Sequence, residues 1–285
     1  MWTLSAFTDE AGASCNEQIT AAKRAGLSRI DIRNIDGFNI TALPLENAKT
    51  IKDKLDDAGV SVQMFGSPIG KIDILDDIET DVEKLRHLAT LVPILGCNAV
   101  RIFSYYNKTK IPHAEWRKRS LANLIRLRDE AEKLDLVLYH ENERHIYGDL
   151  GTDVKEIAVL RSTNFKLIFD FDNYQQSGED VYAVWQNLAE QTDSFHLKDS
   201  TSDKMHVPIG LGNGQIDKIL RDAVVRNWHG PLAVEPHLTH SDAVALTGPS
   251  GIASQSYINM SSADSFHLAV ETAMKLLNKI GAKWN

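Results

Sequence analysis

The sequence predicts a (β/α)8 barrel, and three observations carry that prediction. Eight short apolar, β-branched runs alternate with longer amphipathic ones from one end of the chain to the other. The length, 285 residues, suits a single α/β barrel, which typically needs about 250. The turn after the first run reads TDEAGAS rather than a glycine-rich phosphate loop, which argues against a doubly wound nucleotide-binding sheet.

The strands are expected at Thr3–Phe7, Arg29–Arg33, Val60–Phe65, Ala99–Phe103, Leu136–His140, Lys166–Phe169, Ser194–Lys198 and Leu232–Glu235. A helical pattern follows each. The first starts at Ser14, with Asn, Glu and Gln behind it, and stops at Gly26. Leu45–Ala58 sets Leu45, Ala48, Ile51 and Leu55 on one face and stops at Gly59. Asp81–Leu95 stops at Gly96 and contains Pro93, expected to kink or shorten its last turn. Glu115–Leu134 is the longest, and Asp153–Arg161, Val181–Gln191, Ile216–Arg226 and Ser265–Ile280 complete the set. No linker divides the chain, so residues 1–285 are expected to form one barrel domain. A Ser/Gly-rich stretch at about 239–263, after strand 8, is too long for a passive connection and is expected to be a lid or an oligomer arm.

Lys and Arg number 31 against 39 Asp and Glu, a net charge of −8, which argues against a surface built to hold a phosphate backbone. Cys15 and Cys97 are too few for a disulfide framework and lie in apolar stretches, so both read as buried free thiols. Trp185 and Trp228 lie on helical stretches and read as core or interface residues. Met1 leads directly into Trp2–Phe7 without a basic leader, and no run approaches the roughly 20 apolar residues of a membrane span. The expectation is a cytoplasmic protein with a small-molecule partner, no nucleic acid and no membrane.

Barrel chemistry gathers at the C-terminal ends of the strands. Strand 5 ends in VLYHENE with Glu141, strand 6 in LIFDFDN with Asp170, strand 7 in SFHLKD with His196 and strand 8 in LAVEPH with Glu235. Any one of these reads as an ordinary rim residue. Together they form a hard, oxygen-rich set, because buried like charges repel unless a cation compensates them. Such a set suits one divalent cation, Mn2+ before Mg2+ or Co2+, with Zn2+ a poorer match.

Further motifs extend this from strand 1 to strand 8: FTDEA (Phe7–Ala11), GSPIGKI (Gly66–Ile72), VRIFSYY (Val100–Tyr106), HENERHIYGD (His140–Asp149), FDFDN (Phe169–Asn173), HLKD (His196–Asp199) and VEPHL (Val234–Leu238). On these residues the chain resembles the sugar phosphate isomerase/epimerase superfamily, the xylose isomerase-like TIM barrels. That group includes tagatose/psicose 3-epimerases, hydroxypyruvate isomerases, inosose dehydratases and, more distantly, endonuclease IV. The resemblance implies metal binding by Glu141, Asp170, His196 and Glu235, with Glu141 and Glu235 also acting as an acid/base pair on opposite faces of a sugar. Glu143 and Asp172 share strand parity with Glu141 and Asp170. The E-N pair and the D-x-x-N spacing favour Glu141 and Asp170.

Substrate contacts are expected from Lys71, Arg101, His145, Lys198 and His237. Each has a plainer reading: an ion pair to a ligand carboxylate for Lys198, an exposed loop histidine for His145, a residue behind the ligands for His237. Arg33 reads equally as a packing ion pair. Two departures narrow the resemblance. Asn173 stands where endonuclease IV has a histidine, and strand 3 ends in GSPIGK without one, so a trinuclear zinc site is not expected. The loop after strand 7 reads Gly210-Leu211-Gly212 where relatives often have G-E-G, so whatever that Glu supplies is missing. The function expected is isomerisation or epimerisation of a keto sugar or polyol through an enediolate. The rivals are a lyase or dehydratase on a 3-keto sugar or inosose, and a barrel that only binds a sugar.

Overall fold

The computed structural model describes residues 1–239, 252–253 and 256–285. Most of the stretch at about 239–263 expected to form a lid or arm lies outside them. All eight expected strands form: β1 Thr3–Ala6, β2 Arg29–Ile32, β3 Ser61–Phe65, β4 Ala99–Ile102, β5 Val137–Glu141, β6 Phe165–Asp170, β7 Ser194–Leu197 and β8 Pro231–Val234. From β2 to β8 each strand pairs in parallel with the next, and β8 returns to β1 in register Ala6 with Val234. Between β1 and β2 the ring is joined by a single bridge, Phe7 to Asp31. The fold is a nearly closed eight-stranded parallel barrel with helices outside it.

The helices are α1 Cys15–Arg24, α2 Leu45–Ala58, α3 Glu79–Leu95, α4 His113–Lys133, α5 Gly151–Ile157, α6 Phe171–Gln176, α7 Val181–Leu188, α8 Ile216–Val225 and α9 Ser262–Lys279. Local chemistry sets their ends. Ser14 and Glu17 form a reciprocal capping box at the start of α1. Gly59 and Gly96 close α2 and α3 in the left-handed conformation. Pro93 does not shorten α3, which runs on to Leu95. It sits in the last turn, where the helix closes through the Gly96 N–H to Val92. The sequence reading misses α6, because FDNYQQ is a single turn and a half without an apolar stripe.

Against the barrel wall, Phe169, Phe171, Trp185, Phe195 and Trp228 form one aromatic cluster, with the Phe195 and Trp228 rings 4.5 Å apart. Both buried indoles find acceptors, Trp185 on Asp222 at 2.7 Å and Trp228 on the Thr192 carbonyl at 2.8 Å. The two cysteines are buried free thiols as expected, and burial pushes their pKa values up to about 11 and about 12. No helix among the described residues is long and apolar enough to cross a membrane.

Candidate metal centre at the barrel mouth

Glu141 ends β5, Asp170 ends β6, His196 lies in β7 and Glu235 directly follows β8. Asp170 and His196 sit side by side in the β6–β7 register. The four buried side chains each offer a ligand atom within 4.8 Å of the others. Glu143 and Asp172 stay out of the group. Glu143 pairs with Lys71 at 3.0 Å, and Asp172 faces His206 at 3.5 Å.

Neighbouring groups aim the ligand atoms. The Asn142 side chain accepts from the Asp170 N–H at 2.8 Å and donates to its carbonyl at 3.0 Å, locking the end of β6 to β5. Asp170 Oδ1 caps α6 by accepting from the Asn173 N–H, leaving Oδ2 for the mouth. The Phe7 ring meets His196 edge-on at 5.3 Å. His196 Nδ1 lies 2.9 Å from Glu141 Oε1. Three of the four candidates carry a buried atom without a hydrogen-bond partner: Glu141 Oε2, Asp170 Oδ2 and His196 Nε2. Such a donor set is one that a cation would complete.

Cations of the protein hold the site together. Arg101 Nη1 lies 3.2 Å from Glu141 and 3.8 Å from Glu235. Lys198 Nζ lies 3.3 Å from Asp170 and 3.5 Å from Glu235, and donates to Asn173 at 3.1 Å. Burial would push Glu141 up, but His196 and Arg101 outweigh it and hold the carboxyl at about 2. Glu235 is likewise held well below the usual range by Lys198, His237, Arg33 and Arg101 in spite of burial. Asp170 goes the other way: burial raises it well above the ordinary value, the neighbouring carboxylates add to this, and Lys198 only partly opposes it.

The expected substrate contacts divide. Arg101 and Lys198 join the cluster directly. Lys71 stands beside it over the Phe103 ring at 4.3 Å. His237 is buried with Nδ1 3.1 Å from Glu10, and forms with Glu10 and Glu235 a second close triad. His145 is exposed beside Arg144, its backbone N–H donating to Asp149, and does not join the others.

Sequence reasoning missed Asp9, Glu10 and Asp31. Arg33 bridges the first two to Glu235, at 2.9, 3.3 and 2.8 Å. The loop lacking the relatives' Glu is ordered in another way: the N–H groups of Gly210, Gly212 and Gly214 all donate to the Asp199 carboxylate at 2.9–3.0 Å. A Cβ on Gly212 would fall 2.3 Å from Asp199 Oδ1, so the wrap requires glycine there.

The family model described as "Xylose isomerase-like TIM barrel" matches residues 19–254. The chain belongs to that family. No curated protein sequence matches it. Among solved structures, this xylose isomerase-like barrel is similar to the IolI protein with a bound zinc atom (15% identity, TM-score 0.74, covering 98% of this chain and 99% of that one). It is similar to L-ribulose 3-epimerase (15%, 0.71, 99% and 96%). It is also similar to AsbF of Bacillus anthracis, a probable 3-DHS dehydratase involved in petrobactin synthesis (16%, 0.72, 95% and 98%). At such identities the likeness is one of fold.

Asp31 yields a stability prediction. It is fully buried in β2, with neither carboxylate oxygen hydrogen-bonded. Burial raises its pKa to about 6, against the pull of His196 and Arg101, from an ordinary value of 3.8. The folded state therefore binds this proton more tightly than the unfolded one. Stability falls as pH rises from 3.8 to about 6 and stays reduced above that. In chelator-treated protein, Asp31→Asn is expected to gain about 1–3 kcal/mol at pH 7, with the gain gone below about pH 4. Urea melts at the two pH values check this, and a loss of stability at pH 7 contradicts it.

Proposed function

We propose that the protein is a divalent-metal-dependent isomerase or epimerase of a keto sugar or polyol, working by carboxylate proton abstraction beside a carbonyl. The observation that supports this best is the convergence of two buried, ionised glutamates with Asp170 and His196 at the catalytic end of the barrel. Those four residues would hold the ion, Mn2+ matching their hard oxygen donors. Bound there, it would supply Lewis-acid stabilisation of the oxyanion that develops as the adjacent C–H ionises.

The protein's own groups do the rest. Glu141 and Glu235 come from β5 and β8, three strands apart, and the family resemblance implies that they act on opposite faces of a sugar. One removes the α-proton to leave the enediolate, and the other returns a proton to the opposite face or the neighbouring carbon. A base must start deprotonated, and the surrounding cations hold both carboxyls in that state. Lys198 and Arg101 lie where they can donate to substrate oxygens as charge develops. A pair of bases distinguishes this reading from a binding-only barrel, which needs neither.

The purified protein is expected to hold about one divalent ion per chain. With Mn2+ and keto sugars in D2O, NMR should show deuterium entering the carbon skeleton. Deuterium without net loss of water supports isomerisation or epimerisation, whereas elimination of a β-substituent would move the same base chemistry to a lyase. No metal uptake and no exchange with any keto sugar would overturn the reading.

A further inference from the structure

We infer that the substrate of this site carries a carboxylate, seated in a recess formed by Arg33, Lys71 and Arg101 beside the metal-competent cluster. The inference rests on the proposed function and adds the substrate's chemical class. The metal-competent side chains and the three cations of the recess come from different arcs of the barrel mouth. Glu141, Asp170, His196 and Glu235 come from β5–β8. Arg33 directly follows β2, Lys71 lies in the loop after β3, and Arg101 lies in β4. With Asn34, Asn39, Gly66 and Pro68, these three cations line a recess of about 70 Å3.

Two aromatic rings hold the cations in place. The guanidinium groups of Arg33 and Arg101 both lie over the Phe7 ring, 5.1 and 4.9 Å from its centroid. Arg101 at 5.0 Å and Lys71 at 4.3 Å both lie over the Phe103 ring. Ring faces attract cations without cancelling their charge. Gly66 makes room for this arrangement, since a Cβ there would fall 2.6 Å from Phe7 Cε1.

Carboxylates of the protein already face each cation. Arg33 meets Asp9, Glu10 and Glu235, and Lys71 meets Glu143. Arg101 Nη1 is shared between Glu141 and Glu235, Nη2 donates to the Gly66 carbonyl at 3.3 Å, and the buried Nε has no hydrogen-bond partner. Glu141 and Glu235 are the carboxylates a metal ion would claim. Arg33 then keeps Asp9 and Glu10 and Lys71 keeps Glu143, but Arg101 loses its hold on both its carboxylates, so its guanidinium is the charge in the recess left to be matched. A carboxylate fits the small volume and can pair with a planar guanidinium. A neutral hydroxymethyl group would leave that desolvated charge uncompensated.

The test compares three 2-keto hexoses that differ only at carbon 6: fructuronate, fructose and fructose 6-phosphate. Binding to the Mn2+-loaded protein is measured by calorimetry, without turnover. Fructuronate is expected to bind at least about tenfold tighter than fructose, the order expected of one charge-assisted hydrogen bond. Lys71→Gln should reduce the preference several-fold and leave Mn2+ affinity unchanged. Equal binding of the three, binding of none, or tightest binding of the phosphate overturns the inference. Mn2+ affinity is read separately. Protein that takes up Mn2+ without preferring the carboxylate defeats this inference alone. Mn2+-loaded protein that prefers the carboxylate but exchanges no carbon-bound proton of any keto sugar with D2O defeats the proposed function alone.

Discussion

Replacing Glu141 or Glu235 by Gln is expected to lower metal-saturated turnover by about 10²–10⁴-fold, the usual weight of a general base. Asp170→Asn should lose activity that excess Mn2+ largely restores. Gln keeps the shape and one oxygen donor but cannot accept the substrate proton, so weaker metal binding and lost chemistry separate at saturating metal. Asp170 differs in its surroundings as well as its role. Its Oδ1 is tied to the Asn173 N–H and its Oδ2 faces Lys198, so the side chain is anchored as a donor. In an epimerase, the two Glu variants should also differ in which epimer exchanges its α-proton with D2O, because each base serves one face. The deciding measurement is kcat of the three variants at saturating Mn2+, with melting curves to confirm folding. If excess Mn2+ restores both Glu variants to near the parent rate, these residues are ligands only and the two-base mechanism is wrong.

How much of this was legible in the sequence depended on whether the relevant partners were close along the chain. The strands were, because β-branched apolar runs bounded by turn residues need no distant information. The four residues of the candidate metal centre were also accessible, since each stands at or near the end of a strand and a barrel brings strand ends together. Lys198 followed by parity from His196, and its Nζ does reach Asp170 and Glu235. The network beneath them was not legible. Glu10 lies in the loop after β1, and its partner His237 is 227 residues away, a pairing that only ring closure creates. Asp199 was unreadable for another reason. Its partners are three backbone N–H groups, and the glycines that supply them carry no chemical label of their own. Arg33 reads from the sequence equally as packing or function, and its surroundings show why either label alone falls short: it joins Asp9 and Glu10 of the β1 loop to Glu235 of the cluster.

Arg33→Met is accordingly expected to be among the most destabilising single changes outside the apolar core, by about 3–5 kcal/mol at neutral pH. The guanidinium is buried and faces three buried carboxylates, with four hydrogen bonds to them. Met preserves much of the volume but removes the charge, leaving those carboxylates with less compensation in a desolvated site. Loss of volume would cost the same at every pH, whereas loss of the counter-charge would not. Glu10 and Glu235 are both held down in the parent in spite of burial, Arg33 contributing with His237 to each and Lys198 to Glu235. With the guanidinium gone, burial should gain on the remaining cations and both carboxyls should move up. If they pass the unfolded-state value, the folded variant binds protons more tightly than the unfolded chain, and its stability falls as pH rises. The deficit relative to the parent should therefore be large at pH 8 and shrink toward pH 4, where protonation relieves the repulsion. Denaturant melts of chelated parent and variant across this range decide the matter. A deficit that does not change with pH would assign Arg33 a packing role only, and the electrostatic account of the β1–β2–β8 corner would fail.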